Sequence, residues 1–258
     1  MRKPSNRGTP IDGSRVQAWL SQFGNYRLRV TKERVAKWLS QFQDGDHDLA
    51  ARLLDAVEFY GQDRLENAFR DVVRRLPGWH RNASERRGQW RFVPFSTVPG
   101  ESGGHMVHTF RVAIGLAHER YDSLFCYKHE LIHQNLDASD SVVFIDDFIG
   151  TGTQATNKWP SFEIEALLPG SPNKYLIVAV AAKDGVARVA SSTSLQVEAH
   201  RKLKAGDNVF ATACATSTRP RSPSTSRRRK LQPTWDSGPT AASTIIERSL
   251  KNSKVMSG

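Results

Sequence analysis

Between Val142 and Thr153 the chain reads Val-Val-Phe-Ile-Asp-Asp-Phe-Ile-Gly-Thr-Gly-Thr, and few folds can use residues in that order. The four consecutive apolar residues suit a strand buried on both faces, as in a parallel sheet covered by helices. Two adjacent aspartates end it, so the strand delivers carboxylates to its C-terminal edge, where both side chains are expected to stand in water. The Gly/Thr-rich loop that follows opens the next helix. Glycines let backbone approach a phosphate, threonine hydroxyls donate to it, and a helix N-terminus adds a favourable partial charge. In an open parallel sheet this edge is where ligands bind. Carboxylates cannot touch phosphate directly but suit ribose hydroxyls or magnesium, so one short segment asks for sugar, phosphate and metal together.

The flanking sequence predicts the sheet. Trp90–Phe95 reads as a strand, and the turn Pro99-Gly100-Glu101-Ser102-Gly103-Gly104 leads into a helix over 105–119. Leu124–Tyr127 is a short strand candidate, followed by a short helix over 128–136. Tyr175–Ala182 is a second long apolar run, and 193–199 adds a last strand. Alternating strands and helices predict an α/β fold, an open parallel sheet with helices on both faces, over 89–213. An N-terminal helical segment, 1–80, precedes it. There RVQAWLSQF (15–23) and RVAKWLSQF (34–42) repeat at helical spacing, two similar packing helices but too few copies for a solenoid. Apolar stripes at Leu49, Leu53, Leu54 and Val57, and at Leu65, Phe69, Val72, Val73 and Leu76, extend the helices to Leu76-Pro77-Gly78, where proline and glycine stop them.

Charge separates a third segment, 214–258. It holds nine Lys/Arg against two Asp/Glu, a net +7 out of the chain's +11, and 19 of its 45 residues are Ser, Thr or Pro. Such a composition does not repay the entropy of ordering, so the segment reads as disordered with a weak helix near 241–250. Two readings stand: a basic arm in which Arg227 to Lys230 bind nucleic acid, or translation out of frame from about residue 211. No apolar run is long enough to cross a bilayer, no apolar stretch follows the N-terminal charges, and the two cysteines, Cys126 and Cys214, lie far apart. These features predict a cytoplasmic protein with no membrane association.

At residues 142–153 the chain resembles the type I phosphoribosyltransferases, whose motif is a hydrophobic strand, two acidic residues, two apolar residues and a Thr/Gly-rich loop. The resemblance implies that Asp146 and Asp147 address the ribose hydroxyls of phosphoribosyl pyrophosphate, and Gly150, Thr151, Gly152 and Thr153 its 5′-phosphate, with Mg2+ as cofactor. It also implies a pyrophosphate loop at Gly100, Glu101, Ser102, Gly103 and Gly104. Lys183, after the long apolar strand, is a further candidate contact at the same sheet edge. Many purine transferases carry an acidic residue where this chain has Gly150, which argues against purine salvage. The helical front and the form DDFIGTGTQ resemble relatives encoded in prokaryotic conflict and phage-defence loci. A nucleotide sensor that keeps the ribose-phosphate cradle without transfer chemistry is the alternative from another class.

His129-Glu130-Leu131-Ile132-His133 matches HExxH, in which two histidines one helical turn apart bind zinc and the glutamate acts as base. A catalytic zinc here would need Glu163 or Glu165 as third protein ligand, and a helix squeezed between two sheet strands is a poor site for one. The expected reading is that His129 and His133 are partly exposed helix residues, with zinc hydrolysis the lesser alternative. His105, His108 and His118 read as a solvated face. Arg74, Arg75, Arg81, Arg86, Arg87 and Arg91 read as a solvated linker or as an electrostatic guide for an anionic substrate.

Overall fold

The computed structural model describes residues 11–24, 29–96, 103–161 and 164–207. The 214–258 segment, including the weak helix expected near 241–250, lies outside the described residues. The chain divides into two compact units, one reaching Gly61 and the other running from Gln62 to Lys204.

In the first unit, α1 (Gly13–Gln22), α2 (Lys32–Leu39) and α3 (His47–Ala56) bury one small core. Asp12 caps α1 through Ser14 N–H, and Thr31 caps α2 through Arg34 N–H, which satisfies first-turn donors that have no helical partner. The two repeat copies pack differently: Trp19 is buried in the first, whereas Val35 and Leu39 are buried in the second. Trp19 can sit inside because its indole N–H donates to Asp55 at 2.8 Å, and Arg15 grips the same carboxylate. Those hydrogen bonds, Arg15's above all, hold the Asp55 carboxyl below the usual carboxylate range.

The second unit opens with α4 (Gln62–Arg74), and its sheet is wholly parallel: β1 (Trp90–Pro94), β2 (Ser141–Ile145), β3 (Phe148–Ile149), β4 (Asn173–Ala182) and β5 (Gln196–Leu203). β1 pairs with β2, and β4 lies between β2 and β5. Side chains alternate across the sheet. Val93, Phe95, Val142, Phe144, Leu176, Val178, Val197 and Ala199 share one core with Leu131, Ala155, Leu168 and Val189. These come from the 128–133 turn, α6 (Thr153–Ser161), the loop after α7 (Ile164–Leu167) and α8 (Lys183–Ser192). On the opposite face Phe92 meets Phe110 of α5 (Gly103–Ala113) with ring centroids 4.8 Å apart, and Phe110 meets Phe69 of α4 at 5.7 Å. The helix α4, grouped by sequence with residues 1–80, thus covers the sheet, packing on α5, β4 and β5. Truncating a fully buried ring such as Phe92 to alanine would cost about 3–5 kcal/mol.

The sequence expectations shift in three places. The helix expected to reach 119 stops at Ala113, because Gly115 turns the chain at φ 70° while Leu116 N–H donates back to Arg111 O. The strand expected at 193–199 is realised as β5, beginning at Gln196 and running on to Leu203. Leu124–Tyr127 is reduced to one parallel bridge, Phe125 against Phe92. Phe95 N–H bonds to Ile145 O of β2, so by alternation Phe92 O faces away from β2, and it accepts from Cys126 N–H. Phe125 therefore lies beyond β1. Counting it as the second strand gives the spatial order 2-1-3-4-5, a doubly wound sheet whose switch point falls between β1 and β2.

Candidate functional site

The line of β2 does not end at Ile145. Ser141–Ile145 pairs with Asn173–Ile177, and Phe148–Ile149 pairs with Val180–Ala181 in the same register, so β2 and β3 are one line interrupted by Asp146 and Asp147. Asp146 N–H donates to Ile177 O at 3.1 Å, and Asp147 O accepts from Ala179 N–H at 3.1 Å and Val180 N–H at 3.3 Å. The backbone of both aspartates is thus held by β4, at the carboxyl end of the sheet and at its switch point.

Their side chains are not in water, contrary to the sequence expectation: Asp146 is 6% and Asp147 2% exposed. One Asp146 oxygen accepts the Asp147 N–H at 3.0 Å. Neither Asp147 oxygen has a hydrogen-bond partner. A buried carboxylate without donors carries a large desolvation cost, which marks Asp147 as a candidate ligand contact. Sugar hydroxyls or a hydrated cation both match its chemistry. Among the described residues no group of three His, Cys, Asp or Glu could cage a metal, but magnesium is commonly held by one or two carboxylates together with substrate phosphate. The pair Asp146 and Asp147 fits that pattern.

A cleft opens beside Asp146, which lines it with Phe95, Phe148, Ile149, Gly150, Thr151, Gly152, Thr153, Gln154, Ala155, Asn157 and Leu176; Asp147 is not among the lining residues. The loop is held tightly from behind. Gly152 has φ 76°, and a Cβ there would stand 2.6 Å from Gly185 O; a Cβ on Gly185 would stand 2.1 Å from Gly150 O. Loop and α8 therefore meet backbone to backbone, and both positions require glycine. Thr151 Oγ1 lies 3.0 Å from Thr153 Oγ1, and α6 begins at Thr153, so hydroxyls and free helix N–H groups gather at one point.

The other sequence candidates distribute unevenly. Gly100, Glu101 and Ser102 lie outside the described residues. Gly103 starts α5 against the end of β1, where a Cβ would meet Ser96 O at 2.0 Å, while Gly104 faces open space. Lys183 begins α8 at the same sheet edge, exposed and not among the cleft's lining residues. His105 and His108 are exposed on α5. HExxH is wound as a 3-10 helix, Lys128–His133, with three residues per turn, so His129 and His133 do not share a face as α-helical i and i+4 residues would. Glu130 accepts the Tyr127 N–H at 2.5 Å as a cap.

One residue escaped the sequence reading. Lys128, 5% exposed, donates to the Phe95 carbonyl oxygen and places its ammonium 4.9 Å from the Phe95 ring centre. It brings a buried positive charge to the end of β1, against Phe95, which lines the cleft. Only its place, on the short crossover from the Phe125 bridge to β2, could have marked it.

A family model described as PRTase-CE matches residues 35–249, most of the chain. The chain belongs to this phosphoribosyltransferase-like family. The match spans the sheet, the paired aspartates and the Gly/Thr loop, and runs beyond the last described residue. Among solved structures the chain is similar to orotate phosphoribosyltransferase from Aeropyrum pernix, with 13% identity over 58% of this chain and 70% of that one, at a TM-score of 0.31. No curated protein matches.

Proposed function

We propose that the second unit binds phosphoribosyl pyrophosphate with magnesium and transfers its ribose 5-phosphate to an acceptor nucleophile. The observation that carries the reading is that Asp146 lines one cleft with the Gly/Thr loop at the switch point of a parallel sheet, next to the buried, partnerless Asp147 carboxylate. In this reading the loop amides, the threonine hydroxyls and the start of α6 bind the 5′-phosphate, while Asp146 and Asp147 accept hydrogen bonds from the ribose hydroxyls. Holding both ends of the sugar fixes carbon 1 before the acceptor arrives. The bond from carbon 1 to the pyrophosphate oxygen breaks as the acceptor's bond forms. Lys128 adds a preorganised positive charge near the end of β1. Magnesium, when bound with substrate, neutralises the pyrophosphate, and Asp146 and Asp147 are the carboxylates that would hold it. The resemblance of DDFIGTGTQ to conflict-system relatives supports a setting in phage defence.

Calorimetry with phosphoribosyl pyrophosphate and with ribose 5-phosphate, each with and without magnesium, tests the proposal. Transfer chemistry predicts that pyrophosphate plus magnesium tightens binding well beyond ribose 5-phosphate alone. Equal affinities in all four titrations would support a sensor that keeps only the cradle, and heat-silent titrations would reject both.

A further inference from the structure

Arg81, Arg86 and Arg87, from the basic stretch before β1, sit at the other end of the sheet from the cleft, whereas Arg75 donates to Ala199 O of β5 at 2.9 Å. Residues 78–88 directly precede β1, and the 3-10 turn Glu119–Leu124 directly precedes the Phe125 bridge, so both lie at the N-terminal edge. The five residues of β1 put roughly 16 Å of strand between that edge and Asp146.

This edge carries arginines arranged on aromatic rings. The Arg86 guanidinium lies 4.8 Å from the Trp79 ring centre, and Arg81 and Arg120 lie 5.8 and 4.7 Å from that of Tyr121. Backbone carbonyls brace two of them: Arg81 donates to Gly115 O at 2.9 Å, and Arg86 donates to His80 O and Arg81 O, both at 2.8 Å. Hydrogen bonding from Arg81, with the charge of Arg120, holds the Tyr121 hydroxyl below the usual phenol range. Nearby carboxylates are engaged elsewhere, Glu85 by Asn82 and His80, and Asp122 by Arg111; Glu119 is exposed on the same turn. Among the described residues Arg81, Arg86, Arg87 and Arg120 have no carboxylate within ion-pair distance. Segment 74–91 holds six arginines against one acid, Glu85. Ring stacking and carbonyl bonds fix guanidinium planes without neutralising them, which leaves planar, bidentate donors for phosphate oxygens.

We propose that this N-terminal edge of the sheet docks the phosphate backbone of a nucleic acid, using Arg81, Arg86, Arg87 and Arg120 without reading bases. The aromatic faces are already occupied by arginine, so affinity comes from phosphate contacts and is steeply salt-dependent. The test is fluorescence anisotropy of the full chain with labelled single-stranded and duplex DNA across salt. Arg87→Glu with Arg120→Glu leaves the two carbonyl-bonded arginines intact, and Arg87→Gln with Arg120→Gln serves if the charge reversal misfolds. A third variant replaces Arg227, Arg228, Arg229 and Lys230 by glutamine. The expected result is that the edge variant binds DNA at least about tenfold more weakly and loses about 2 from the slope of log affinity against log salt, at about 0.9 per phosphate contact. Phosphoribosyl pyrophosphate binding stays unchanged in that variant, which separates this proposal from the cleft assignment. The 227–230 variant retains the edge-dependent part. Undiminished binding by the edge variant, loss only in the 227–230 variant, or no binding by the native chain at low salt would each overturn the proposal.

Discussion

Replacing Gly185 by alanine tests the phosphate loop from a residue that touches no ligand. The new Cβ would stand 2.1 Å from Gly150 O and 2.9 Å from Ile149 Cγ2, both under the 3.0 Å that real Cβ contacts respect. One contact is to a backbone carbonyl, which cannot swing aside as a side-chain tip could, so the loop must retreat from α8 by about 1 Å. Overpacking of this kind costs about 1–3 kcal/mol. At about 2–4 °C per kcal/mol for a domain of this size, the melting temperature should fall by roughly 2–12 °C. Binding should suffer more, because a 1 Å error in a positioning group can cost about a hundredfold. Calorimetry well below the melting temperature should therefore show phosphoribosyl pyrophosphate bound roughly ten- to a hundredfold more weakly. A variant that melts early but binds with native affinity would refute the claim that Gly150–Thr153 cradles phosphate.

Further outcomes follow from neighbouring residues. Gly104→Ala places its Cβ in open space within a helix, so it should gain about 0.5–1 kcal/mol in a melting assay; if the 100–104 turn holds pyrophosphate, affinity for phosphoribosyl pyrophosphate falls while that for ribose 5-phosphate does not. Asp55 has a depressed carboxyl, so it stabilises the first unit above the ordinary carboxylate range near 3.8 and loses that contribution as pH falls through its own lower value. Asp55→Asn should flatten that acid dependence, as followed by Trp19 fluorescence, and an unchanged acid profile would contradict it. Glu130→Ala removes the cap on Tyr127 N–H and should cost about 0.5–2 kcal/mol of stability. Metal analysis should find no stoichiometric zinc before or after that substitution, and one zinc per chain lost with His133→Ala would restore the hydrolase reading.

Sequence revealed the centre of the site better than its surroundings. β2 and β4 were legible because strands buried on both faces are continuously apolar, and the Asp-Asp-Phe-Ile-Gly-Thr-Gly-Thr order placed carboxylates and loop at one edge. The burial of Asp146 and Asp147 was not legible, since an acidic pair after an apolar run reads as a strand end, and the two residues of β3 that resume the line make no periodicity. Leu124–Tyr127 has the composition of a strand but makes a single bridge, so its decisive topological role shows only in which way Phe92 O points. Helix α4 looked like its amphipathic predecessors, and pattern alone does not say which core a stripe will cover. Gly185 gave no local signal either, because its requirement is a contact with a loop 35 positions away.

The paired aspartates are tested most directly by comparing the native chain with the Asp146→Asn, Asp147→Asn double variant in a magnesium-containing titration with phosphoribosyl pyrophosphate. Loss of charge-assisted hydrogen bonds at about 1.5–3 kcal/mol each predicts an affinity at least about a hundredfold weaker. The ligand-free variant should melt no earlier than the native chain, because amides relieve the buried, partnerless charge at Asp147. Native affinity in a folded double variant would contradict the assignment of this site.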